Sequence, residues 1–387
     1  MDEKRTPSRA PLVIRTLKTR VARIAIAAFL ASALTPVPAL AAILPPSVVA
    51  PGALLATADG TNLWSRNAQT QRRVASTIKM LNALVVRERA SLDETVVVSA
   101  KAAAINDGDV GLVAGQRLSV RKLLEIMLVA SGNDAAEALA IHVAGSEARY
   151  VALMNAKAKQ LGLSRTLAVD PHGLSKREKS TPADLAVLGR CVLADPWLKR
   201  IVNMRSVVVP RPGGKRTVLR STFHPIWGYT GLQGVKTGYT RAAGYCFVAS
   251  AKRGDVELVG VVLGTRSNSD RFAQMRTLLD WGFAHTHVRE LISRDATLAV
   301  SLTTTGLAQP IVARPAKTIS KALLDGSGPV TRRVRVATDT PTPCLVGQNV
   351  GTLDLLLGSR VIATVPLLAA ADGPLATTFP LAAYITR

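Results

Sequence analysis

Residues 235–263 read VKTGYTRAAGYCFVASAKRGDVELVGVVL. Residues 245–251 and 256–263 are runs of apolar and aromatic side chains separated by the turn Lys252-Arg253-Gly254-Asp255, a pattern that predicts antiparallel strands joined by hairpins. A helix expected at about residues 270–281 closes this unit. Nearer the N-terminus, residues 53–59 are apolar enough for a strand, and Asp59-Gly60 signals a turn into a second strand at Leu63-Trp64. The middle is helical in texture. Ile78, Leu81, Leu84 and Val85 follow Ser76 at helical spacing, residues 120–129 place Leu123, Leu124, Met127 and Leu128 on one side, and residues 135–143 give a third helix. Thr181-Pro182 opens another, since proline is tolerated in a first helical turn. Strands at both ends of a helical middle predict an α+β sandwich, a sheet assembled from the two ends with helices packed against it.

From about Arg289 the texture changes to alternating apolar strands, at residues 331–336, at Leu353, Leu355 and Leu357, and at Val361, Ala363 and Val365 after a Gly358-Ser359 turn. This predicts a separate small β domain. The division expected is a signal segment at residues 1–41, a linker at 42–52, a catalytic domain at 53–286 and a β-rich domain at 287–387. A chain of 387 residues with 48% hydrophobic side chains has enough apolar surface for more than one core, and single cores seldom grow beyond about 250–300 residues.

The net charge of +23 is compatible with nucleic acid, an anionic membrane surface or an anionic wall polymer as neighbour. The N-terminal residues narrow that choice. Lys4, Arg5, Arg9, Arg15, Lys18, Arg20 and Arg23 precede an apolar run at residues 24–34, followed by Pro36, Pro38 and Ala39-Leu40-Ala41. That is the order of a secretory signal peptide, and the prolines interrupt the run well short of the roughly 20 apolar residues of a membrane span. Export makes nucleic acid an unexpected partner and places the protein beside wall polymer or lipid head groups. Residues 380–387 carry no basic amphipathic pattern, so a soluble or peripherally attached protein is expected. Cys191, Cys246 and Cys344 are too few and too far apart for a disulfide framework and read as small buried apolar residues.

Three short stretches carry chemistry. In Ala75-Ser76-Thr77-Ile78-Lys79, a serine and a lysine one helical turn apart share a face, and a desolvated lysine can take the serine proton. The bland alternative is a serine N-cap with a surface lysine. Ser131-Gly132-Asn133 lies in a loop between helices, where serine can pass a proton to a leaving amine and asparagine can hold a substrate amide. Its alternative is a capping box formed by Asp134 and Glu137. Lys236-Thr237-Gly238 sits on an expected strand, whose edge offers backbone hydrogen bonds to an extended peptide; Lys236 and Thr237 offer charge and a hydroxyl, and Gly238 permits close approach. Each stretch alone is common. All three in this order, each on the element the chemistry needs, are not.

The chain resembles the serine D-Ala-D-Ala carboxypeptidases, the low-molecular-mass penicillin-binding proteins, over about residues 53–283. Supporting stretches are Ser131-Gly132-Asn133-Asp134-Ala135-Ala136, Leu161-Gly162-Leu163, Pro171-His172-Gly173-Leu174 and Ala243-Gly244-Tyr245, and residues 343–366 resemble the family's C-terminal β domain. The resemblance implies a penicillin-binding, β-lactamase-like transpeptidase domain with no cofactor. It implies a peptidoglycan stem peptide ending in D-Ala-D-Ala as substrate and β-lactam antibiotics as covalent inhibitors. Ser76 would be the nucleophile and Lys79 the general base, with Ser131 and Lys236 relaying the proton to the departing D-Ala. Asn133 would position the substrate, the N–H groups of Ser76 and Tyr239 would hold the oxyanion, and Thr237 would bind the terminal carboxylate beside Gly238. Arg271 matches the carboxylate-orienting arginine, with Arg220 as a second cation.

Two other readings share parts of this pattern. A class A β-lactamase adds a Glu-x-x-x-Asn element after the second motif, which this sequence lacks. A non-catalytic wall-binding relative would be expected to have lost a catalytic side chain, and none is missing. His285 and His287 lack a third nearby ligand, so no metal site is expected; His172 reads as structural.

Overall fold

The computed structural model describes residues 43–304, 307–337 and 344–371. The expected signal segment, Pro343 and residues 380–387 lie outside the described residues. Strands β1 (Gly52–Thr57) and β2 (Asn62–Arg66) form the opening hairpin. Next come helix α1 (Lys79–Arg89), strand β3 (Thr95–Val97), the short α2 (Ala100–Ala103), β4 (Arg117–Ser119) and α3 (Val120–Glu125). Helices α4 (Asn133–Ala144), α5 (Glu147–Gln160), α6 (Pro182–Ala194) and α7 (Pro196–Val202) complete the helical middle. Hairpin β5 (Ser206–Pro210) and β6 (Arg216–Arg220) leads to β7 (Leu232–Thr240), β8 (Gly244–Arg253), β9 (Val256–Thr265) and the long α8 (Asn268–His285).

The main sheet has the order β2-β1-β9-β8-β7, antiparallel throughout, so the opening hairpin docks on β9 from more than 190 residues away in sequence. This is the α+β sheet built from both ends that the sequence predicts. Its central strands carry buried side chains on both faces. Ala53, Leu55, Phe247, Ala249, Val262 and Leu258 face α8, while Leu54, Val248, Val259 and Val261 face the helical middle. Phe247 is held between Phe223 and Phe272, with ring centroids 6.0 Å and 5.4 Å away. Aromatic pairs of this kind add about 0.5–1.5 kcal/mol each beyond their burial.

Helix starts follow local chemistry. Ser119, Ser146, Thr181, Asp195 and Ser267 each accept backbone N–H groups as N-caps, with proline next in line at 182 and 196. Two expected helices differ in detail. The segment from Ser76 begins as a 3-10 turn (Ala75–Ile78) before α1, and Ser76 caps nothing. Residues 126–130 leave the α geometry of α3 for a wide π turn, and Ser131 follows in the left-handed region at φ 66°. Wide turns of this type recur where a helix must aim a functional group.

Among the described residues, every element after α8 is a strand. β10 (Thr286–Ile292) pairs with β13 (Ile319–Leu324). A second five-stranded sheet has the order β11-β12-β16-β15-β14, built from β11 (Leu298–Thr304), β12 (Leu307–Pro315), β14 (Val330–Val336), β15 (Asn349–Leu357) and β16 (Arg360–Ala369). Its own core contains Val350, Leu353, Leu355, Val365 and Leu367. Buried Asp354 is held there by Arg333, Arg335 and the Thr364 hydroxyl. Cys246 and Cys344 are buried as expected, whereas Cys191 on α6 is only half-buried, because that face of the helix is incompletely covered.

Candidate active site

Three segments converge on Ser76. The 3-10 turn delivers it from one side, the loop at residues 170–180 covers it from a second, and β7 passes it on a third. Their approach is close enough to require glycine twice. A Cβ on Gly173, whose φ is 95°, would lie 2.4 Å from the Ala75 carbonyl, and a Cβ on Gly238 would lie 2.8 Å from Val74 O and 3.0 Å from Ser76 N. Ala75 itself takes φ 49°, a conformation L residues adopt at a cost of about 1–3 kcal/mol. The packing around it sustains that strain directly before Ser76.

Lys79 is completely buried one turn after Ser76, and its Nζ lies 2.8 Å from Ser76 Oγ. The same nitrogen meets Asn133 Oδ1 and the His172 carbonyl oxygen, the latter at 3.0 Å. Burial pushes the Lys79 ammonium down, the surrounding carboxylates of Asp170, Glu178, Asp134 and Asp107 pull it partly back, and it comes to rest at about 7. The amine is therefore available as a base near neutrality. Ser131 Oγ accepts a hydrogen bond from Lys236 Nζ at 2.9 Å, and Lys236 also reaches the Thr237 carbonyl at 3.0 Å. Burial, with Lys79 and Arg271 as like-charged neighbours, holds Lys236 well below the ordinary lysine range.

Asn133 begins α4 and donates its amide to the Asp107 carbonyl, fixing which atom faces Lys79. The capping-box alternative for Asp134 and Glu137 does not form. Asp134 accepts from the N–H groups of Val110 and Leu112, at 3.0 Å and 2.9 Å, and anchors the loop above the site. Glu137 pairs instead with Lys101 at 3.0 Å.

Thr237 donates its hydroxyl to Thr222 Oγ1 at 2.6 Å. Tyr239 is exposed on β7 and stacks on Tyr245 at 4.2 Å. Arg271 is buried, donating Nη1 to the carbonyls of Gly238 and Cys246 at 3.1 Å and 3.3 Å, so it holds β7 and β8 from behind. Burial lowers its guanidinium to about 10. Arg220 stands exposed at the end of β6, and among the described residues its side chain makes no hydrogen bond or ion pair with the other candidates.

Some of the site has no counterpart in the motifs. The His172 carbonyl accepts from both Ser76 Oγ, at 3.2 Å, and Lys79, yet a main-chain oxygen leaves no signature in side-chain identity. Asp170 shapes that loop by accepting the N–H groups of His172, Gly173, Leu174 and Ser175. Burial alone would raise its carboxyl, but the His172 ring and these N–H groups hold it far below the usual carboxylate range. Glu178, buried in the same loop, is pushed well above the usual range by burial and by Asp170. Asp170-Pro171 and Gly173 were the available turn signals. Thr222 carried none.

Among the described residues, Glu137, Glu147 and His172 have ligand atoms near enough to share an ion, and there the Lys101 ammonium already spans the two carboxylates.

A family model described as D-alanyl-D-alanine carboxypeptidase matches residues 42–267. The D-alanyl-D-alanine carboxypeptidase DacF of Bacillus subtilis is 30% identical over 321 residues, covering 81% of this chain and 82% of the relative. A crystal structure of a D-alanyl-D-alanine carboxypeptidase from Mycobacterium tuberculosis superposes with a TM-score of 0.60 at 36% identity, over 63% of this chain and 95% of that one. Penicillin binding protein 5 of Haemophilus influenzae, at 24% identity, shares the fold over 86% of this chain and all of its own, with a TM-score of 0.70. The chain belongs to the D-alanyl-D-alanine carboxypeptidase family of serine peptidases.

Proposed function

We propose that this chain removes the terminal D-Ala from peptidoglycan stem peptides ending in D-Ala-D-Ala through an acyl-enzyme on Ser76. The observation that carries the reading is the buried Lys79 amine 2.8 Å from Ser76 Oγ, titrating at about 7. Neutral Lys79 accepts the Ser76 proton as Oγ attacks the carbonyl carbon of the penultimate D-Ala. The N–H groups of Ser76 and Tyr239 stabilise the oxyanion that forms. Collapse breaks the peptide bond, and the proton that Lys79 took from Ser76 is relayed through Ser131, hydrogen-bonded to Lys236, to the leaving amine. Water then cleaves the ester and regenerates the serine.

Thr237 binds the terminal carboxylate beside Gly238, while Asn133 orients the substrate amide. Arg271 acts from behind the strand by fixing the Gly238 carbonyl, and Arg220 supplies positive charge at the mouth. A β-lactam presents a strained amide and a carboxylate in the same geometry, which accounts for covalent inhibition. Catalysis belongs to residues 53–286, with residues 287–387 as a β-rich appendage. Export through residues 1–41, and association with an anionic wall polymer or membrane surface, follow from charge and the N-terminal pattern. Among the described residues no helix is long and apolar enough to cross a membrane.

The test is labelling by a fluorescent penicillin together with D-Ala release from a pentapeptide ending in D-Ala-D-Ala. Wild type is expected to label and to release D-Ala, and Ser76→Ala to do neither. An unlabelled wild type would sink the assignment, and labelling with rapid antibiotic turnover and no D-Ala release would favour the lactamase reading. N-terminal sequencing of the mature protein tests cleavage after Ala41.

A further inference from the structure

On the side of the nucleophile's approach segment lies a cavity of about 280 Å³ whose charged lining residues are Arg72, Arg73 and Lys179. No Asp or Glu lines it, and among the described residues none of the three cations forms an ion pair. Arg72 Nε is buried and lacks a hydrogen-bond partner, and glycine at position 52 leaves room for it, since a Cβ there would lie 3.1 Å from that nitrogen. Arg73 uses Nε on the Lys176 carbonyl at 2.8 Å. Gathering like charges around a cavity is unfavourable, and leaving a guanidinium N–H buried without an acceptor adds to the cost. The charge cost is relieved by one multiply charged anion in the cavity.

We infer that this cavity binds an oxyanion of phosphate type, free or as a phosphodiester group of an anionic polymer. Guanidinium forks match phosphate oxygens in pairs, and Lys179 adds a point charge. The cavity is built where the segments of the active site meet. Arg72 and Ser180 exchange backbone hydrogen bonds at 2.8 Å and 2.9 Å, tying the segment before Ser76 to the end of the 170–180 loop, and Ala242 and Ala243 in the lining follow Tyr239 in the β7–β8 turn. A bound anion therefore fastens three catalytic segments together without touching the reacting atoms, and the inference does not depend on the acyl-transfer chemistry.

The test is calorimetric titration of the full chain with inorganic phosphate and with a glycerol-phosphate oligomer at fixed ionic strength, for wild type and for the double variant Arg72→Gln/Lys179→Gln. One saturable site is expected, at least tenfold weaker in the double variant, with fluorescent-penicillin labelling retained as proof of fold. Arg72→Lys, which keeps the charge but loses the fork, is expected to fall between them. Tighter binding of the oligomer assigns the source to a phosphodiester polymer; equal or weaker binding assigns it to free phosphate, and the site stands in both cases. No saturable binding of either probe to wild type, or undiminished affinity in a double variant that still labels, would overturn it. If the double variant fails to label, the Arg72→Lys titration decides by the same criterion.

Discussion

Two lysines, both fully buried and both hydrogen-bonded to a serine hydroxyl, sit in different electrostatic surroundings. Lys79 rises from a helix into a ring of carboxylates and settles near 7, while Lys236 comes off a strand and faces Lys79 and Arg271, which drive it further down. One can change charge around neutrality; the other is held well below the ordinary lysine range by burial and by those two cations. In the proposed mechanism that suits Lys79 to accept the Ser76 proton and Lys236 to orient Ser131 for the relay. The difference lies in the second ring of residues, since the two Nζ–Oγ distances, 2.8 Å and 2.9 Å, are nearly the same.

The largest effect comes from removing the group that Lys79 serves. Ser76→Ala is expected to show no penicillin adduct by intact-mass spectrometry; an adduct in that variant would break the comparison at its root. Lys79→Met should lower the acylation rate by about 10³–10⁴, at the upper end for loss of a general base, and Lys236→Met by about 10². The two should also differ in pH profile. Lys79 must be neutral to act, so the wild-type rate rises with pH up to about 7 and is flat above it. Lys236→Met keeps that limb at reduced amplitude, and Lys79→Met loses it. A smaller change is expected from Thr222→Val, which takes away the acceptor of the Thr237 hydroxyl. A single neutral hydrogen bond is worth about 0.5–1.5 kcal/mol, so kcat/KM for the pentapeptide should fall about two- to tenfold.

The contrast also explains what could be read in the sequence. The serine, lysine and asparagine of the three motifs were legible because acyl transfer needs those side chains in that order, and the hairpin of β8 and β9 was legible from its apolar runs and turn. What tunes the lysines was not. Asp170, Glu178 and Asp107 act on Lys79 through space from loops with no chemical motif of their own, and the His172 carbonyl acts through the main chain. Arg271 was expected only through the family resemblance, and its burial behind β7 depends on the α8 packing that the fold reveals. The π turn before Ser131 was hidden because its residues keep a helical apolar pattern while the backbone departs from it.

The smallest expected effect tests the tuning itself. Asp170 is ionised, because four backbone N–H groups and the His172 ring outweigh its burial, so its charge raises the Lys79 pKa. The Glu178 carboxyl is pushed well above the usual range by burial and by Asp170, and its pull on Lys79 is smaller than that of Asp170. Asp170→Asn should therefore move the acid limb of acylation to lower pH, with the rate at pH 6, expressed against its own plateau, rising about two- to fivefold. Its absolute plateau falls as well, since an amide holds the loop less firmly, and normalising separates the two effects. Glu178→Gln removes the weaker of these two carboxyls and should move the limb the same way by a smaller amount. A limb that moved equally in both variants would mean that the loop's shape sets the lysine. A limb that moved further in Asp170→Asn than in Glu178→Gln would mean that charge does.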